Sequence, residues 1–106
     1  MLHVIARIEL RPGARATFVE EFRRLEPLVR AEAGCLEYVG VVDADTALAA
    51  QTPVGEDVLY VIEKWESEAA LGAHLVAPHM ADHRDRVRDL AAGTTVHVLR
   101  ASSDPR

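Results

Sequence analysis

Residues 58–80 read VLYVIEKWESEAALGAHLVAPHM, and this segment is the most informative part of the chain for predicting its fold. Its first part, from Val58 to Trp65, is an almost continuous apolar run, which predicts a strand with two apolar faces. Ser67 follows as an N-cap and Glu68 suits a first helical turn, so a helix begins directly after the strand. That helix must end before Pro78, because the residue ahead of a proline disfavours helical backbone.

The flanking sequence supplies the remaining elements. We predict strands over Leu2–Leu10, Leu36–Val42 and Thr94–Leu99, and helices over Ala14–Glu32 and from His79 to about Ala92. Gly34 is expected to cap the first of these helices and Gly93 to end the last, and a long connection spans Asp43–Asp57. The order is β-α-β-β-α-β, with the second helical part broken by a proline. With right-handed crossovers, it predicts an α+β, ferredoxin-like fold in which helices cover one face of a four-stranded antiparallel sheet.

The third strand also predicts an oligomer. Alternation sends its side chains to two faces, with Leu59, Val61, Glu63 and Trp65 on one and Val58, Tyr60, Ile62 and Lys64 on the other. Both sets are mostly apolar, yet the helices can cover only one face of the sheet. We therefore predict a homodimer whose sheets pack together, a dimeric α/β-barrel assembly. The alternative is a monomer with a moderately apolar exposed sheet.

Length and charge restrict the class of protein. The 106 residues suit one domain, predicted over residues 1–100, with a disordered tail over residues 101–106. A net charge of −5 without a basic cluster argues against nucleic acid and anionic membranes as partners. Cys35 is the only cysteine, so no intrachain disulfide can form and a cytoplasmic location is expected. We expect neither a signal peptide nor a membrane span, which needs ~20 apolar residues.

The strand-to-helix corner of residues 58–80 holds the main candidates for a site. Trp65, the only tryptophan, is either a core residue or the wall of a pocket on which a flat aromatic ligand stacks. His74 and His79 lie either side of the proline break. Each is either a helix-surface or capping residue, or a base that takes a proton from a phenol or enol.

Two further polar residues accompany these candidates. Glu63 faces the same side as the tryptophan, where it is either a solvated charge or a group that orients a histidine. Tyr38 can donate a hydrogen bond to a ligand. His79 and His83 are spaced i, i+4, but no third ligand has a recognisable spacing, so no metal is expected. Motifs for phosphate binding or a catalytic serine are absent from the sequence.

Four segments together resemble a known family. MLHVIARIELRPG, EAGCLEY, VLYVIEKWES and AHLVAPHM, in this order and spacing, resemble the antibiotic biosynthesis monooxygenase (ABM) family and most of all its small quinol monooxygenase branch. The likeness spans roughly residues 2–99. It implies a ferredoxin-like unit that dimerises through its sheets.

The resemblance also implies a chemistry. Members oxygenate electron-rich aromatic rings with O2, without metal or flavin, because the substrate supplies its own electrons. On this reading Trp65 bounds the ring, and His79 or His74 takes or relays the phenolic proton. Tyr38 and Glu63 are then orienting groups, and Val61 faces the substrate cavity together with Glu63 and Trp65. The partners implied are a small aromatic substrate, O2 and a second copy of the chain.

Two departures from related branches narrow the resemblance. Some polyketide-oxidising relatives carry asparagine four residues before the tryptophan, where this chain has Val61, and haem-degrading relatives carry asparagine where it has Ala6. The quinol-type branch is therefore favoured. Two alternatives stay open: an isomerase or degradative enzyme for a small oxo-compound, and a non-catalytic module that binds an aromatic ligand.

Overall fold

A computed structural model describes residues 1–105 of the chain. The strands are β1 (Leu2–Leu10), β2 (Cys35–Val41), β3 (Val58–Trp65) and β4 (Ala91–Leu99), and the helices are α1 (Arg15–Arg30), α2 (Glu68–Leu75) and α3 (Pro78–Val87). The strands form one antiparallel sheet in the order β2-β3-β1-β4. The predicted α+β, ferredoxin-like fold is confirmed, with three helices on one face of the sheet.

The core lies between the helices and one sheet face. Alternation along β1 directs Val4, Ala6 and Ile8 inward, and an apolar stripe on α1 that includes Phe18 and Phe22 packs onto them. The helix after β3 begins as predicted, because the Ser67 hydroxyl oxygen accepts a hydrogen bond from the backbone N–H of Ala70 at 3.1 Å. This cap fixes α2 against the end of β3, where the candidate residues lie.

The boundary between α3 and β4 differs from the prediction. The helix ends at Val87 rather than near Ala92, and the strand begins at Ala91 rather than Thr94. Pairing with β1 explains the difference, because a register shift beside Leu10 extends the ladder back to Ala91. Gly93 consequently lies within a strand, where it pairs with Glu9, and does not end a helix.

Gly34 also has a different role from the one predicted. The helix α1 ends at Arg30 with Ala31 as its C-cap, so Gly34 lies in the turn that follows. Its φ of +83° is left-handed, and a Cβ built there would approach the Cβ of Ala70 at 2.5 Å. The glycine therefore allows the turn to lie directly against α2.

The other face of the sheet carries no helix in the part of the chain that the structure describes. Ile5, Val39 and Ile62 lie there, half-buried, beside Tyr60, whose hydroxyl accepts a hydrogen bond from Arg7 at 2.9 Å. This apolar centre lies on the face that is predicted to pack against a second copy of the chain.

The connection between β2 and β3 is ordered by its first residues. Both carboxylate oxygens of Asp43 accept hydrogen bonds from backbone N–H groups, at 3.0 Å from Val54 and at 2.9 Å from Gly55. Beyond β4, residues 101–105 form a turn, and Arg106 lies outside the described residues, so disorder of residues 101–106 stays a prediction. Over residues 1–105, none of the helices is both long and apolar enough to cross a bilayer.

Candidate active site

A cavity of about 230 Å³ lies between the sheet and the helices. Residues of all four strands line one side of this cavity, and residues of α1, α2 and α3 line the other. The lining is mostly apolar, and its buried polar side chains are Tyr38, Glu63, His74 and His83. Its lining includes Val96 and Val98 of β4, both about half exposed. An apolar cavity with a few convergent polar groups is the usual form of a small-molecule site.

His74 is a buried imidazole in the wall of this cavity. Its side chain is 2% exposed, and its Nδ1 lies 2.9 Å from Oε2 of Glu32. A carboxylate has no proton to give, so this contact requires a proton on Nδ1, and in the neutral imidazole it leaves Nε2 as a lone pair. The nearest carboxylate oxygen on that side, Oε1 of Glu63, is 4.0 Å from Nε2. That distance exceeds a hydrogen bond, so Nε2 is available to a bound molecule.

Glu32 also contacts the second predicted histidine. Nε2 of His79 lies 2.7 Å from the same Oε2 atom that contacts His74. His79 does not line the cavity; it lines a surface depression between α1 and α3, and its side chain is 24% exposed. The three side chains therefore form a chain that runs from the cavity wall to the protein surface.

Trp65 and Glu63 form a second buried pair. The indole N–H of Trp65 donates a hydrogen bond to Oε1 of Glu63 at 2.9 Å. The tryptophan is completely buried and its ring centroid lies 4.6 Å from that of His74, so it packs behind this imidazole and does not line the cavity. Burial raises the pKa of Glu63, opposed by this hydrogen bond and by His74.

Tyr38 and Val61 complete the predicted set. Both line the cavity, and the ring of Tyr38 meets that of His74 edge-on, with 5.5 Å between centroids. Burial raises the pKa of the Tyr38 phenol above its ordinary value, so the group stays neutral and can donate a hydrogen bond. Four of the six predicted residues thus line one cavity, while Trp65 lies behind it and His79 outside it.

Two residues in this region were not predicted as part of the site. Glu32 follows α1 in a turn, where the sequence suggests only a surface charge, and its partners are 42 and 47 residues away. The sequence indicates His83 only as half of a possible metal pair with His79. It lines the cavity with its ring edge-on to Phe18, 5.8 Å between centroids, and burial lowers its pKa. The i, i+4 spacing places both histidines at the surface depression between α1 and α3, but only His83 also lines the cavity.

The described residues offer no metal centre. Over residues 1–105, no group of three or more His, Cys, Asp or Glu side chains is placed to hold a metal ion. The imidazoles of His74 and His79 instead both point at one carboxylate oxygen of Glu32, at hydrogen-bond distances. The geometry of this group suits proton positioning.

Comparisons with known proteins extend over nearly the whole chain. A family model described as antibiotic biosynthesis monooxygenase matches residues 1–86. YgiN of Escherichia coli K12, named a probable quinol monooxygenase, is 36% identical over 101 residues, which cover 93% of this chain and 96% of the relative. The structure of PA3566 from Pseudomonas aeruginosa matches with a TM-score of 0.78 at 28% identity, over 96% of this chain and 94% of that one. Rv0793 from Mycobacterium tuberculosis matches with a TM-score of 0.77 at 28% identity, over 99% and 98%.

Proposed function

Because the chain belongs to the antibiotic biosynthesis monooxygenase family, we propose that it oxidises a quinol-like or phenolic aromatic molecule with O2 and without a cofactor. The observation that carries this proposal is His74, a buried imidazole whose Nε2 lone pair is left free at the wall of an apolar cavity. A phenolic O–H is the kind of group that such a base can deprotonate. The name of the Escherichia coli relative supports the same class of substrate.

The proposed reaction balances without an added reductant. One quinol and one O2 give one hydroxyquinone and one water, and all four electrons that reduce O2 come from the ring. His74 takes the phenolic proton, and the anion passes one electron to O2. The resulting radical pair combines through a new C–O bond to give a peroxide anion, and His74 returns the proton to make it a hydroperoxide. Loss of the C–H proton at that ring carbon then breaks the O–O bond, so that hydroxide leaves with this proton as water. The ring carbon keeps a carbonyl oxygen, which tautomerises to the hydroxyl of the hydroxyquinone.

The cavity supplies the rest of what this reaction needs. Its apolar walls exclude water from the radical pair and hold the ring next to the base. The neutral phenol of Tyr38 can orient a substrate oxygen. Glu63 and Glu32 lie on either side of His74, at 4.0 Å and 2.9 Å from its ring nitrogens, where negative charge stabilises the imidazolium that forms.

We also propose that the working form is a homodimer that packs sheet against sheet. The outer face of the sheet presents Ile5, Val39 and Ile62 at its centre, and in the described chain no helix covers it. Covering this face with a second copy would bury apolar area in both subunits at once. The cavity lies on the opposite side of the sheet, so dimerisation leaves it open.

We also propose that the protein is located in the cytoplasm. Cys35 is unpaired and half-buried, and burial raises the pKa of its thiol, so it is a poor nucleophile. A reducing compartment suits a chain without disulfides. Fractionation of the source cells tests this, and recovery outside the cytoplasm would contradict it.

The test of the reaction uses metal-stripped protein, a reduced naphthoquinone and oxygen-18 gas. We expect consumption of one O2 per quinol, faster than the spontaneous rate, and one labelled oxygen atom in the product. No rate above the protein-free blank, or quinone without label, would contradict the proposal. Turnover in an anaerobic arm would instead indicate an isomerase or degradative enzyme, and recovery of the bound ligand unchanged would indicate a binding module.

A further inference from the structure

We propose that Glu32 is a positioning residue that fixes the tautomer of His74, and that His79 is the surface residue that holds Glu32 in place. The proposal deepens the proposed function, since it explains why one nitrogen of His74 is free to act. It reassigns His79 from a base to a support. The juxtaposition that carries it is the single Oε2 atom that lies 2.9 Å from His74 and 2.7 Å from His79.

The first step concerns protons. An ionised carboxylate only accepts hydrogen bonds, so each imidazole must present an N–H to Glu32. For His74 this puts the proton on Nδ1 and the lone pair on Nε2. The opposite tautomer would turn an N–H towards the cavity and leave two lone pairs facing each other at 2.9 Å. The carboxylate therefore selects the form of His74 that can accept a proton, as carboxylates do in serine-hydrolase triads.

The second step concerns burial. Glu32 is 13% exposed and His74 is 2% exposed, so their hydrogen bond lies almost out of water, where misalignment would be costly. Glu32 belongs to the short turn between α1 and β2, and its backbone N–H is bonded to the carbonyl of Val29 at 2.9 Å. The turn fixes the backbone, but the carboxylate needs a second partner to fix its side chain.

The third step concerns His79, which supplies that partner. It belongs to the first turn of α3, which Pro78 begins, and its Nε2 reaches the same carboxylate oxygen of Glu32 that His74 contacts. Because His79 does not line the cavity, it cannot touch a substrate held there. Its hydrogen bond instead restrains Glu32, and its position at the surface depression keeps it in exchange with solvent.

The role of His79 is tested by two substitutions. His79→Gln keeps an N–H that can donate to Glu32, whereas His79→Ala removes it. We expect His79→Gln to retain turnover within about threefold of wild type and His79→Ala to lose more, because a positioning contact needs a donor and not a base. If both variants lose about 100-fold or more, the contribution typical of a general base, His79 itself takes the proton and the proposal is wrong.

Glu32→Gln tests the tautomer directly. An amide can turn either its oxygen or its N–H2 to His74, so it no longer selects one form. We expect kcat to fall about 100-fold or more while KM changes by less than about threefold, because Glu32 does not line the cavity. Glu20→Gln is the matched control, an exposed carboxylate on α1 that pairs with Arg23, and it should behave as wild type.

The closing experiment does not depend on turnover. Nitrogen-15 NMR of the histidine side chains at mildly alkaline pH should show His74 of the wild type protonated at Nδ1 only, and His79 protonated at Nε2. In Glu32→Gln the His74 signals should shift towards the other tautomer. A wild-type His74 that carries its proton on Nε2, or an unchanged spectrum in Glu32→Gln, would overturn the proposal. An absence of oxygenase activity with the expected spectrum would instead count against the proposed function alone.

Discussion

At the level of single residues, Glu63 and Trp65 share one face of β3 but lie at different depths, since Glu63 lines the cavity and Trp65 does not. The pattern of β3 placed Val61, Glu63 and Trp65 on one face of the sheet, and the structure has all three on the helix side. Alternation says nothing about how far a side chain lies from a cavity that another element bounds. Trp65 is therefore behind His74 and not in front of it.

Glu32 could not be predicted because nothing local marks it. A glutamate in a helix-to-strand turn is usually solvated, and the residues that bury this one come from α2 and α3. Only the tertiary arrangement brings a third element to that turn. His74 was identifiable as titratable, but its tautomer depends on this distant partner.

His83 gives a prediction about pH. Burial lowers its pKa in the folded state, while the unfolded chain keeps the ordinary value of about 6.5. As pH falls from that value towards the lower folded pKa, the unfolded state binds more protons at this site, so His83 reduces the free energy of unfolding over that window. Urea unfolding should therefore show wild type losing more stability than His83→Gln between about pH 7 and pH 5. A difference between the two proteins that stays constant with pH would contradict this prediction.

At the level of elements, the helices and strands were predicted from periodicity and capping, and the errors fall at two junctions, the end of α1 and the boundary between α3 and β4. Ser67 and Pro78 mark real boundaries because they act through their own backbone and side chains. The start of β4 depends on its pairing with β1 across a bulge, which the sequence of β4 does not record. The sequence therefore predicts that Gly93 ends a helix, whereas it is a strand residue.

Gly34 tests how the turn after α1 is joined to α2. Replacement by alanine should lower the free energy of unfolding by more than the roughly 1–2 kcal/mol of a left-handed residue, because its Cβ would meet that of Ala70. Gly13 is the matched control: its φ is +77°, and an added Cβ would meet nothing within 4 Å. Chemical denaturation of Gly34→Ala and Gly13→Ala measures the difference. Equal losses would show that the contact with α2 contributes nothing.

At the level of the whole molecule, the two apolar faces of β3 predicted both a core and an interface. The core is observed, and the interface is the proposal that remains to be measured. The outer face is half-buried at Ile5 and Ile62 even in one chain, where neighbouring strands shield it. No sequence pattern reports whether a second copy or solvent covers such a face.

Light scattering of the purified protein should give twice the 11.6 kDa of one chain. Ile62→Asp should give the mass of one chain with the circular dichroism of wild type, because a charge cannot be buried unpaired at the centre of the interface. Val76→Asp is the control, since Val76 is 81% exposed after α2 on the helix side, and it should stay dimeric. A wild-type mass of one chain would contradict the sheet-to-sheet dimer.

Oxygen consumption by His74→Gln at saturating quinol tests most directly whether His74 is the base. Glutamine keeps an N–H for Glu32 but has no basic nitrogen to face the cavity. We expect kcat to fall about 100-fold to 10,000-fold in a variant whose circular dichroism matches wild type, the loss typical of a missing general base. A folded His74→Gln that consumes oxygen within a few-fold of the wild-type rate would contradict the assignment of His74 as the base.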